Sequence, residues 1–185
     1  MDRSALTIPN AISVVRLLLV PVFIWLVAID QVGLAGLLLA VIGATDWVDG
    51  YLARRLDQVS EVGKFLDPLA DRIAIAVAVI VGLIAGVLPG WLGWAIIIRE
   101  VLIAVGVFYG WSKGVTRLDV RQMGKLATLL LYSAIIGLYI ADGFEIAWVE
   151  SVSAVIGLIG IVLYYAVGIA YFGDLLATIK ANEAA

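Results

Sequence analysis

Six apolar runs, each close to the roughly 20 residues that cross a bilayer core, leave this chain few ways to fold outside a membrane. By hydropathy they extend from about Ala11 to Ile29, Gly33 to Arg54, Val62 to Gly86, Pro89 to Trp111, Gln122 to Ala141 and Val149 to Phe172. A soluble domain carries about 25% charged residues and under half apolar ones. Here 15% are charged, 64% are hydrophobic and the mean hydropathy is +1.11. The sequence therefore predicts an all-α, polytopic membrane protein of six transmembrane helices, forming a single domain over residues 1–185. Residues 1–10 form a short juxtamembrane lead-in, and Pro9 suits the start of a helix. The first run contains Arg16 and Pro21 and lacks a small-residue cleavage site, so it reads as a span rather than a cleavable signal.

The charges orient these spans. Arg54, Arg55, Lys64 and Arg72 gather around the second connection, and Lys113, Arg117, Arg121 and Lys125 around the fourth. The first, third and fifth connections hold no Lys or Arg. By the positive-inside rule, both termini and the two basic loops face the cytoplasm of an integral cell-membrane protein. Gly82 and Gly86 form a small-xxx-small pair that suits either packing within one subunit or dimerisation.

The chain has no cysteine and no histidine. Thiol nucleophiles, disulfides, zinc sites of the usual nitrogen and sulfur kind and imidazole acid–base chemistry are thereby excluded. Catalysis is left to carboxylates, Lys, Arg, hydroxyls or a bound hard cation.

Residues 45–74, TDWVDGYLARRLDQVSEVGKFLDPLADRIA, are the most informative. Asp46 and Asp49 are spaced i, i+3, and Asp67 and Asp71 i, i+4, so each pair shares a helix face. A short loop between antiparallel helices would bring the two faces together at the cytoplasmic surface. A carboxylate at membrane depth costs about 2.5–3.5 kcal/mol on insertion scales, and four of them need compensation. Two compensations suit the residues: a bound divalent cation, which all-oxygen ligation would restrict to Mg²⁺, Mn²⁺ or Ca²⁺, or neutralisation by Arg54, Arg55, Lys64 and Arg72 in a salt-bridged hairpin. Gly50, Ala53 and Gly63 leave space beside the carboxylates for a ligand or for close helix approach.

Together the stretch reads D-x2-D-G-x2-A-R-x8-G-x3-D-x3-D, over Asp46, Asp49, Gly50, Ala53, Arg54, Gly63, Asp67 and Asp71. This resembles the signature of the CDP-alcohol phosphatidyltransferase family at all eight positions. The opening IPNAISVVRLLLVP, the six spans and IIIREVLI resemble its phosphatidylglycerophosphate-synthase branch, so the resemblance covers most of the chain. It implies a homodimer that displaces CMP from CDP-diacylglycerol with an alcohol acceptor, using membrane lipid and no nucleic acid. It also implies Mg²⁺ or Mn²⁺, two ions held by Asp46, Asp49, Asp67 and Asp71. Asp71 would be the general base, with Asp46, Asp49, Gly50, Ala53, Arg54, Gly63 and Asp67 around the CDP moiety. Two metals roughly 4 Å apart clamp attacking and leaving oxygens of an in-line displacement, and a carboxylate base suits an alcohol nucleophile.

A phosphorylated acceptor needs cations, and Arg16, Arg99, Arg117, Arg121 and Lys125 are the candidates. Arg16 and Arg99 lie inside spans, where an Arg ordinarily faces a cavity or a partner; Glu100, beside Arg99, is one such partner. Arg117 and Arg121 also suit a solvated loop or lipid headgroups, and Lys125 also suits snorkelling. Phosphatidylglycerophosphate synthases usually carry Gly-Lys-x-Lys-Thr-x-x-Gln at the fifth span. Here Gly124, Lys125 and Thr128 remain, but the second Lys is Ala127 and the Gln is Leu131, which resembles actinobacterial cardiolipin synthases. The acceptor expected first is glycerol 3-phosphate, with phosphatidylglycerol as the alternative and an inositol phosphate third. An ion-coupled transporter is the rival from a different class, but it would place its acids near the midplane and favour repeat symmetry.

Overall fold

A computed structural model describes the backbone of residues 8–56, 61–113 and 122–183, and the side chains of 11–45, 70, 72–113 and 123–179. Every described element is a helix: α1 (Ile8–Ala28), α2 (Val32–Leu56), α3 (Glu61–Ala85), α4 (Gly90–Ser112), α5 (Gln122–Gly143) and α6 (Ala147–Glu183). Helices are what lipid permits, since each satisfies its own backbone hydrogen bonds. The expected boundaries agree to within three residues, except at the C-terminal end of α6. That helix continues eleven residues past Phe172 because Leu175 and Ile179, one turn apart, form a small buried cluster of their own. Leu175 packs on Gly110 of α4, which has no side chain to hold it off.

The helices alternate in direction. Across the α2–α5 seam Gly33 faces Phe144, Gly36 faces Ile140 and Gly43 faces Tyr132, an antiparallel register. Tyr132 donates its hydroxyl to the Leu39 carbonyl at 2.8 Å. The α5–α6 seam is also antiparallel, with Gly124 against Val167 and Leu131 against Gly160, and it is the most extensive in the bundle. α4 and α6 run parallel, with Leu92 beside Gly157 and Tyr165 donating to the Ala95 carbonyl at 2.9 Å. Neighbour by neighbour the helices close a ring in the order α1, α2, α5, α6, α4, α3, with α5 also touching α3 across the middle. Tyr139 makes that crossing: fully buried, it donates to the Ala78 carbonyl at 2.8 Å and meets Phe23 edge-on at 5.3 Å. Gly82 leaves room for its hydroxyl, so this glycine serves packing within the chain.

One end of the bundle is closed by three tight turns, and each reverses through a left-handed residue: Asp30 (φ 62), Gly86 (φ 79) and Glu145 (φ 54). After α1, the Gln31 amide bonds the Leu26 carbonyl and that of Asp30 the Val27 carbonyl. After α5 the same pair runs from Ile146 to Ala141 and from Glu145 to Asp142, the Schellman arrangement that favours glycine at the left-handed position. Replacing Glu145 by Gly is expected to stabilise the fold by about 1 kcal/mol, measured by thermal unfolding in micelles, because a side chain there is strained. Glu145→Ala keeps the strain and is expected to bring no gain.

Among the described residues, four helices carry a run long and apolar enough to cross a membrane: Ala11–Ala28, Gly90–Ser112, Met123–Gly143 and Ala147–Ile179. In α2 and α3 the apolar runs among the described residues are Val32–Thr45 and Arg72–Ala85. Both helices continue beyond these runs, α2 to Leu56 and α3 back to Glu61, so six helices with apolar runs are present.

Candidate active site

α2 and α3 both meet α1 at a small apolar plug. Val20 of α1, Ile42 of α2 and Ala74 of α3 are buried together in one cluster. α1 and α3 run away from the charged end of the bundle, and α2 runs toward it. Arg16 therefore lies four residues on the charged side of Val20, Asp46 four residues on that side of Ile42, and Asp71 three on that side of Ala74. About one helical turn, ~5 Å, separates each backbone position from the plug, so the three stand at one level. α1 packs on both α2 and α3 and brings them together among the described residues. The expected meeting of the two acidic helix faces falls on side chains outside the described residues.

Arg16 is 1% exposed, and Ser13, one turn before it, is fully buried. Extended by two turns, the α2–α5 register sets Lys125 level with Asp49, and the Lys125 side chain is exposed. Ala127 and Leu131, where the expected Lys and Gln are replaced, are buried in the main apolar core (0% and 4% exposed).

The same level carries a polar knot across α3, α4 and α6. Glu100 accepts from Arg72 at 3.1 Å and from Arg99 at 2.8 Å, and the Tyr164 hydroxyl donates to it. The Arg99 guanidinium stacks over the Tyr164 ring, 3.6 Å from its centroid. Arg99, a candidate for acceptor binding by sequence, is in the structure held by Glu100 and Tyr164. The sequence hint was the adjacent Arg–Glu pair inside a span, where both charges need partners; nothing in it singled out Tyr164. Beside the knot, Arg72 stands at the rim of a cavity of about 400 Å³ whose walls are Ile103, Ala104, Val107, Phe108 and Trp111.

The backbone of α2 carries Asp46, Asp49, Gly50, Ala53 and Arg54, and that of α3 carries Gly63, Asp67 and Asp71. The side chains of these eight residues lie outside the described residues, as do Arg117 and Arg121 altogether. Among the described residues no group of three or more Asp, Glu, His or Cys gathers to hold a metal. The donor set at the ends of α2 and α3 is four carboxylates in a chain without histidine or cysteine. That chemistry fits a hard, oxygen-seeking cation such as Mg²⁺ or Mn²⁺.

A model of the family described as CDP-alcohol phosphatidyltransferase matches residues 6–170. The chain is 37% identical over 194 residues to a cardiolipin synthase (CMP-forming) of Streptomyces coelicolor, covering all of this chain and 89% of that protein. It is 38% identical over 128 residues to a putative cardiolipin synthase of Mycobacterium tuberculosis, covering 69% of this chain and 61% of the relative. To a CDP-diacylglycerol–glycerol-3-phosphate 3-phosphatidyltransferase of Bacillus subtilis it is 40% identical over 111 residues, 52% of this chain and 58% of the other.

Proposed function

The chain belongs to the CDP-alcohol phosphatidyltransferase family of phospholipid biosynthesis, and from that premise we propose that it moves a phosphatidyl group from CDP-diacylglycerol to phosphatidylglycerol, forming cardiolipin and releasing CMP. The observation that carries this choice is the resemblance to a cardiolipin synthase along the whole chain. The apolar, buried Ala127 and Leu131 support it, because they remove the cation and the amide expected of enzymes that read glycerol 3-phosphate. Phosphatidylglycerol thereby moves ahead of glycerol 3-phosphate. The latter remains the second reading, favoured by the match to the Bacillus subtilis enzyme over about half of the chain.

In this reading the acceptor hydroxyl oxygen attacks the phosphatidyl phosphorus, the bond from that phosphorus to the CMP oxygen breaks, and the proton passes to the Asp71 carboxylate. Asp46, Asp49, Asp67 and Asp71 would hold two Mg²⁺ or Mn²⁺ ions, which when bound would supply charge stabilisation to the pyrophosphate and the departing CMP. Gly50 and Ala53 leave room for the cytidine, Gly63 lies beside the CDP moiety, and Arg54 meets the phosphates. Arg16 and Lys125, level with the acidic ends, are the described cations best placed for the acceptor; Arg117 and Arg121 remain candidates on the sequence alone.

We read α2 and α3 as crossing helices whose acidic ends stop in the headgroup layer, completing six spans. The distribution of Lys and Arg supports a cytoplasmic location for that end and for both termini. A homodimer belongs to the same reading, and the outer face of α4, with Val105, Phe108 and Trp111 exposed, offers surface for a second copy.

The test is direct. Purified protein in vesicles receives CDP-diacylglycerol, Mg²⁺ or Mn²⁺ and one acceptor at a time, and the lipid formed is identified by mass spectrometry. Cardiolipin is expected with phosphatidylglycerol. Phosphatidylglycerophosphate as the sole product, formed from glycerol 3-phosphate, would overturn the choice of acceptor.

A further inference from the structure

We infer that Glu100 is a positioning residue for the reaction: through Arg72 it fixes the rotation of α3 that presents Asp67 and Asp71 to the divalent cation. The inference rests on the reading of those aspartates as cation ligands. Arg72 follows Asp71 directly, and on a helix the two side chains point about 100° apart. Holding one side of α3 therefore sets the direction of the other.

An exposed ion pair alone would be a poor anchor, since such pairs contribute little. Arg72 is 71% exposed and Glu100 36%. Glu100, however, is not a loose surface carboxylate. Its Oε2 takes Arg72, while its Oε1 takes Arg99, whose side chain is only 10% exposed, and the hydroxyl of Tyr164. Arg99 is pinned in turn by its stack on Tyr164. The carboxylate thus ties α3 to two helices that pack on each other, α4 and α6.

A second effect has the same sign. Glu100 offsets the charge of Arg72 next to the place where cations are to bind. Without it, two arginines stand uncompensated beside a cation site and repel the ion. Both effects raise the metal concentration that the enzyme needs.

The experiment uses the full chain in micelles with Mn²⁺ as the probe. Free Mn²⁺ is counted by electron paramagnetic resonance, and CMP release is measured against metal concentration in parallel. Glu100→Gln is expected to weaken Mn²⁺ binding and to raise the half-saturating metal by about ten-fold or more, as for other partners that orient metal ligands. Arg72→Gln is expected to shift half-saturating metal in the same direction but by less, because it breaks the link while also removing a charge that repels the ion, and the double variant to be no worse than Glu100→Gln. Tyr164→Phe, which keeps the ring stack and loses one hydrogen bond, is expected to shift the same curve less. If Glu100→Gln fails to fold, Arg72→Gln decides. Lowered thermal stability with an unmoved Mn²⁺ curve would mean that Glu100 serves the fold alone, and would overturn the proposal. Asp71→Asn binding Mn²⁺ and releasing CMP like the parent protein would overturn the reading of Asp71 and the proposal with it.

Discussion

Asp71→Asn is expected to lower CMP release by about 10²–10⁴-fold, the usual contribution of a positioned general base. Asparagine matches aspartate in shape but takes no proton and offers a weaker oxygen to a cation. Two losses are therefore combined, and a companion variant separates them. Asp46 is read as a cation ligand with no proton to move, so Asp46→Asn is expected to recover activity as Mg²⁺ or Mn²⁺ is raised. Asp71→Asn is expected to stay slow at every metal concentration. CMP release by Asp71→Asn near the parent rate would remove Asp71 from the role of base. Chelation of the metal is expected to silence the parent enzyme and added Mn²⁺ to restore it, which the same assay reads.

Gly36→Leu is expected to cost nearly as much, although Gly36 lies about ten residues from the nearest signature aspartate. A Cβ on Gly36 would stand 2.9 Å from the backbone nitrogen of Ile140, and backbone cannot turn aside as a side chain does. α2 must then lean away from α5, straining the Tyr132 hydrogen bond to Leu39 as well. Such overpacking costs about 1–3 kcal/mol of stability. The larger consequence is for the site, because α2 carries Asp46 and Asp49 on its next turns. A displacement of about 1 Å in a reacting constellation can cost ~10²-fold in rate. Gly106→Leu is the control: nothing stands within 4 Å of a Cβ there, and little change is expected in either stability or CMP release. If Gly36→Leu retained full activity, the α2–α5 seam would not be what positions the aspartates.

These two substitutions probe features of different legibility. Asp71 stands out in the sequence because the spacing of four carboxylates with Gly50, Ala53 and Gly63 occurs along two consecutive helices, and a helix displays such spacing without help from its neighbours. Gly36 does not stand out, since it is one of 19 glycines and only the approach of Ile140 gives it weight. The polar knot behaves alike. Arg99 and Glu100 announce themselves as charges inside an apolar run, but their partners Arg72 and Tyr164 are 27 and 65 residues distant from Arg99. Arg99 consequently reads as an acceptor candidate in the sequence and as a paired, stacked residue in the structure. The C-terminal extension of α6 was hidden for a related reason: Asp174 interrupts the hydropathy, while Leu175 and Ile179 acquire an apolar environment only where Gly110 meets them.

The sequence by itself determined the helices, their apolar character and the gathering of acid and basic residues at one end. Hydropathy, helical spacing and charge sign are properties of each segment alone, and a bilayer enforces them without reference to the rest of the fold. Only the tertiary structure decided the order of helices around the ring, the place of α1 between the two acidic helices and the pairing of Glu100 with three partners. In lipid the apolar faces of the helices are equivalent to the solvent, so hydrophobicity does not choose neighbours. Close packing at glycines and a few interhelical hydrogen bonds make that choice, and both exist only once the helices have met.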